Sequence, residues 1–149
     1  MTNIKVNTRF GELSVDPAQV NIFPKGIPGF EKNTRWKLFH EVDDQGNLAN
    51  GMVVHLQSID DGDVSLPLTD PALSGFSYNL TLTDSEIAEL ELEDPSDVVV
   101  LTVLSVKNDT PQNGYKKVTG NMYANISAPI LINTKSRIGI QKILSNSKL

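Results

Sequence analysis

Few side chains in this 149-residue chain could carry chemistry. Cysteine is absent, which excludes disulfides, thiolate metal sites and cysteine nucleophiles. The two histidines, His40 and His55, show no Glu-x-x-His or His-x-His spacing. Both read as strand residues among apolar neighbours. A histidine at a barrel mouth can act as a general base, so a small-ligand-binding or enzymatic barrel using the region of His55 is the alternative reading. Asp60-Asp61-Gly62-Asp63 has the acids of a calcium loop without its register. Leu66, Pro67 and Leu68 fall where later ligands belong, so a turn is expected and no metal site. Nothing singles out two of the eighteen acids as a glycosidase pair. A glycine-rich phosphate loop, a Gly-x-Ser-x-Gly elbow and aromatics interleaved with bases are all missing. Neither catalytic residues nor a cofactor are expected.

The charge is more informative than the net value of -5 suggests. Every Lys and Arg lies at or before Lys37 or at or after Lys107, and fourteen acids stand between them. Such a tract repels phosphate backbones and steers basic partners, so direct nucleic-acid binding is not expected. Apolar runs are too short to span a membrane as a helix, and no signal-peptide core opens the chain. A cytoplasmic protein, with residues 1–149 forming one domain, is the expectation.

The elements that position these residues are mostly short strands. Alternation predicts one or two strands over 4–15, a short one at 20–23, and others at 36–42, 52–58, 64–69 and 76–82. Thr83 and Glu86 form a capping box ahead of Ile87 and Leu90, which predicts a short helix. Val98 to Val106 is apolar and β-branched, the expected central strand. The polar stretch 108–120 reads as a long loop, and 121–126 as a strand bent at Ser127-Ala128-Pro129. Residues 130–133 and 138–144 then read as a hairpin. Short strands with one helix indicate a mainly β fold, a small antiparallel, distorted β-barrel, because closure removes sheet edges.

One stretch is neither strand nor linker. From Asn21 to Glu31, Pro24, Gly26, Pro28 and Gly29 alternate with Phe23, Ile27 and Phe30. Rigid turn residues interleaved with large apolar ones predict a packed corner, its apolar side chains inward.

In order and spacing this stretch resembles the N-terminal signature of the flagellar assembly factor FliW family. Phe10-Gly11-Glu12 precedes it; Leu56-Gln57-Ser58, Thr69-Asp70-Pro71 and Leu92-Glu93-Asp94-Pro95 follow. Asn125 to Asn133, including Ala128 and Pro129, resembles the family's C-terminal block. The chain departs from the pattern at His55, where an aromatic is usual, and at Leu66-Pro67-Leu68. The resemblance implies a non-enzymatic cytoplasmic β-barrel that binds flagellin and the RNA-binding translational repressor CsrA, relieving repression of flagellin synthesis by partner switching. The residues expected to meet a partner are Asp43, Asp44, His55, Gln57, Asp60, Asp61, Asp63 and Asp70. Phe23, Pro24, Gly26, Ile27, Pro28, Gly29, Phe30, Asn125, Ala128, Pro129 and Asn133 are expected to serve structure.

Overall fold

The structure, a computed structural model, describes residues 2–40, 53–74, 78, 80–106, 115–119 and 122–144. Strands β1 (Ile4–Thr8) and β2 (Gly11–Val15) form a separate antiparallel hairpin. The remaining strands form one sheet. In chain order they are β3 (Asn21–Ile22), β4 (Arg35–Phe39), β5 (Val54–Ser58), β6 (Ser65–Thr69), β7 (Val98–Val106), β8 (Tyr115–Thr119), β9 (Met122–Asn133) and β10 (Gly139–Gln141). Helix α1 (Asp84–Leu90) lies between β6 and β7.

The sheet runs β10-β9-β7-β6-β5-β4-β3, with β8 added to β9, and every named pairing is antiparallel. Its ends meet at a parallel bridge between Ile22 and Ile138, where the Ile22 N–H donates to the Arg137 carbonyl at 2.7 Å. The result is a nearly closed, barrel-like antiparallel sheet.

Phe23, Ile27, Trp36, Leu56, Leu68, Leu101, Ile130 and Ile132 fill its interior. The corner turns through successive backbone bonds: Gly26 N–H to Phe23 O, Phe30 N–H to Ile27 O, and Asn33 N–H to Phe30 O. Gly26 has φ +68°, and a Cβ there would stand 2.5 Å from the Glu31 Cα, so both conformation and space demand glycine. Phe23 and Ile27 are buried and Phe30 packs against them.

Three Asp-Pro pairs serve one purpose. Asp16, Asp70 and Asp94 each accept the N–H two residues on, from Ala18, Ala72 and Ser96 at 2.9, 2.9 and 3.0 Å, and each begins a single 3₁₀ turn. The proline occupies a position whose missing N–H costs nothing.

The structure corrects four expectations. The alternating segment 76–82 forms no strand among its described residues. Residues 80–83 lie beside the sheet unpaired, while the Tyr78 hydroxyl donates to the Ile126 carbonyl at 2.7 Å. Part of the expected loop 108–120 is strand β8, held by its ladder with β9 rather than by its own polar sequence. Strand β9 runs through Pro129 without breaking. Register shifts between the Leu101–Ile130 and Val103–Asn125 pairs, and the proline sits in that bulge, where no ladder donor is required. Asn125 shapes the bulge by accepting from the Ser127 N–H and hydroxyl at 3.1 and 2.7 Å. Finally, His40 stands just past the end of β4, exposed.

Candidate partner-binding surface

Asp43 and Asp44 lie outside the described residues. The other six expected partner residues belong to the β5–β6 hairpin or its immediate ends. The hairpin divides them by depth.

His55 and Gln57 are inside. Alternation sends Leu56 into the barrel and His55 and Gln57 to the opposite face of β5, where the β1–β2 hairpin covers them. The His55 ring lies 4.7 Å from that of Phe10, on the β1–β2 turn, and 5.2 Å from that of Phe39 on β4. A groove of about 330 Å³ beside this cluster is lined by Thr8, Phe10, Glu12, Phe39 and His40, not by His55. Phe10 and Phe39 pack against the His55 ring. Gln57 is fully buried, and its amide donates to the carbonyls of Ser58, Gly62 and Val64 at 3.0, 3.1 and 3.0 Å. It therefore shapes the turn from beneath.

Asp60, Asp61 and Asp63 come together on that turn, but their carboxylates do different things. Asp60 accepts from the N–H groups of Thr34 and Arg35 at 2.9 and 3.0 Å and pairs with the Arg35 guanidinium at 2.8 Å. Burial pushes its carboxyl up, and the bonds from Arg35 and Thr34 outweigh this to hold it below the ordinary range. It latches the turn to the corner. Asp61 accepts from the Asp63 N–H at 3.0 Å, and both side chains face solvent. Asp70 caps its 3₁₀ turn at the far end of β6. Among the described residues, no group of three or more His, Cys, Asp or Glu could hold a metal ion.

Arg35 and Asn33 lie outside every motif and sequence reasoning missed them, while Ser58 stood in the Leu56-Gln57-Ser58 block without a role of its own. The Ser58 hydroxyl donates to Asn33 Oδ1 at 2.6 Å and accepts from the Asp60 and Asp61 N–H groups. Short acids after a strand were the visible part of a network whose other half lies some 25 residues earlier in the chain.

A second acid-rich element is α1. Its capping box is complete: Thr83 Oγ1 accepts from the Glu86 N–H at 3.1 Å, and the Glu86 carboxylate accepts from the Thr83 N–H at 2.8 Å. At the other end Asn133 donates to the Leu90 and Glu91 carbonyls at 2.9 and 3.3 Å, and the Ser136 hydroxyl donates to Leu90 at 2.8 Å. A seven-residue helix has too few internal bonds to stand alone, so these caps and its packing hold it. Glu86 and Glu89 also pair with Lys142 and Lys25, tying the helix to β10 and the corner.

Burial pushes the Glu86 carboxyl up, but Lys142 and Thr83 outweigh it and hold it below the ordinary value of 4.5. A carboxyl depressed on folding contributes stability that is complete above its unfolded value and lost as pH falls through the folded one. Glu86→Gln should therefore lower stability by about 2 kcal/mol at neutral pH. The gap from the parent should close in acid, below about pH 4.5. Urea midpoints across pH 3 to 7 check this; a pH-independent gap would contradict it.

These features define a small, barrel-like antiparallel β protein whose sequence from 38 to 106 carries fourteen acids and no Lys or Arg. Residues 5–149 match the family model described as FliW protein. The chain is 34% identical over 136 residues to the flagellar assembly factor FliW of Chromobacterium violaceum, covering 91% of this chain and 89% of that protein. It is 36% identical over 136 residues to the flagellar assembly factor FliW of Azoarcus sp., covering 91% and 87%. A crystal structure of the flagellar assembly factor FliW matches with a TM-score of 0.75 at 26% identity, over 97% of this chain and 91% of that one. The chain belongs to the FliW family of flagellar assembly factors.

Proposed function

We propose that this protein is a non-enzymatic, cytoplasmic assembly factor that binds flagellin and a CsrA-type RNA-binding repressor. Bound to the repressor it relieves the block on flagellin synthesis; flagellin competes for it and sets the repressor free. The supporting observation is family membership along nearly the whole chain, joined to an acid tract without Lys or Arg from residue 38 to 106. A repressor that grips RNA is expected to be basic, and a localised negative field gives on-rate and register to such a partner.

The test is titration calorimetry with purified flagellin and purified repressor. On the β5–β6 turn, Asp61 and Asp63 are the acids to reverse, because Asp60 is occupied in holding the turn. Asp61→Lys with Asp63→Lys should weaken repressor binding about tenfold, about 1.4 kcal/mol, and flatten its salt dependence. Unchanged affinity at low and moderate salt would make those acids bystanders. Failure to bind either protein would overturn the reading itself.

A further inference from the structure

A groove of about 460 Å³ lies between α1, residues 80–82 and the start of β7. Its floor is a sheet face. Val98 and Val100 alternate with Leu101, which points into the barrel core, and Val100 pairs with Leu131 on β9. Helix α1 covers part of that outer face, through Leu90 and the Asn133 bonds to its last carbonyls. The rest is open, walled by Leu80, Leu82, Ile87 and Leu92. Ile87 is 37% exposed, a large apolar side chain on the solvent side of a helix whose other turns are pinned down.

The charges around the groove are lopsided. Glu86 and Glu89 face the corner and β10 and have lysine partners there. Asp84, Glu91 and Glu93, which flank the groove walls in sequence, are exposed and form no ion pair among the described residues. An apolar floor on a sheet face, half covered by one helix and with exposed Glu91 and Glu93 on either side of the wall residue Leu92 in the chain, is complementary to a second helix with a basic flank. A free strand edge would instead favour an added strand.

We propose that this groove is a docking site for an amphipathic helix of a partner protein. That helix presents apolar side chains at i, i+3 or i+4 and i+7 and carries Lys or Arg beside them. The volume accommodates a few leucine-sized side chains, which sets the number of anchors. The proposal stands on the groove and does not depend on which protein supplies the helix.

The probe is a synthetic peptide of about 18 residues with leucines at that spacing and lysine flanks, disordered when free. Binding is followed by fluorescence anisotropy and by the peptide's gain of helical circular dichroism. Two control peptides share its length: one scrambles the leucine spacing, the other replaces lysine with glutamate. The designed peptide should bind at least tenfold more tightly than either control and become helical. Ile87→Lys should weaken it about tenfold, and Asp84→Lys with Glu93→Lys should flatten its salt dependence. Asp84 lies in the first turn of α1 and Ile87 is only partly exposed, so a small drop in melting temperature is expected, while the circular dichroism of the folded protein should match the parent. Equal binding of the scrambled peptide, binding without helix gain, absence of binding, or indifference to Ile87→Lys would each overturn the proposal. Failure of the flagellin and repressor titrations leaves this readout untouched, so the two ideas fail separately.

Discussion

Replacing Gly62 with alanine should cost the protein about 3 kcal/mol or more, among the largest losses from any single methyl group in this chain. Gly62 sits in the Asp60-Asp61-Gly62-Asp63 turn, which presses against β1. A Cβ there would overlap the Asn7 carbonyl oxygen and stand 3.0 Å from its carbon. The obstacle is backbone in a strand, and no rotamer change clears it. Either the turn lifts, breaking the Gln57 bonds to Gly62 and Val64, or the β1–β2 hairpin moves off its small core of Val6, Val15, Val20 and Ile59. Chemical denaturation reads the loss directly. Near-native stability in Gly62→Ala would mean that the hairpin is not seated on the turn. Asp63→Ala, exposed and one residue away, is the control, and its effect should stay within about 0.5 kcal/mol.

The second large effect is at Gly139. A Cβ on this β10 residue would lie 2.6 and 2.8 Å from Cε1 and Cε2 of Phe23. Phe23 is fully buried, edge-on to Trp36 with ring centroids 6.3 Å apart, so its ring cannot swing away. Gly139→Ala should cost about 3 kcal/mol. Phe23→Leu alone should cost about 1 to 2 kcal/mol from lost packing. The double variant should be more stable than the sum of the two losses implies, by about 1 kcal/mol or more, because the smaller side chain leaves room for the new methyl. Strict additivity in that cycle would deny that ring and glycine share one space.

The contrast between these glycines shows what sequence could and could not reveal. The corner was legible because its own residues state the geometry: prolines and glycines between large apolar side chains. The helix was legible from Thr83 and Glu86, three positions apart, and β7 from its β-branched run. Gly62 read as turn chemistry in an acidic loop, and nothing near it in sequence points to Asn7. Strand β8 and the unpaired 80–83 segment failed for the same reason. A polar Tyr-Lys-Lys-Val-Thr becomes a strand because β9 offers it a ladder, and the described residues of the alternating 76–82 stretch are left without one. The surface divided likewise. Acid types and their segregation are written in the chain, but that Gln57 and His55 face inward depends on a hairpin docking from more than forty residues away. The groove beside α1 was not legible as a site: Leu92 and Pro95 stand in a family block, but the other lining residues are ordinary apolar ones from separate segments.

The meeting of β3 with the chain before β10 makes the barrel a strip fastened by a clasp. That clasp is one parallel bridge, whereas its opposite wall is the long β7–β9 ladder. Should it slip, the two borders laid bare would be β3, two residues long, and β10, three residues long. Pro24 follows β3 closely and offers no donor to extend it. Borders so brief give a foreign strand almost nothing to align against. At that fastening the ring can loosen while baring little strand edge; the side of β8 left unpaired among the described residues lies elsewhere on the sheet.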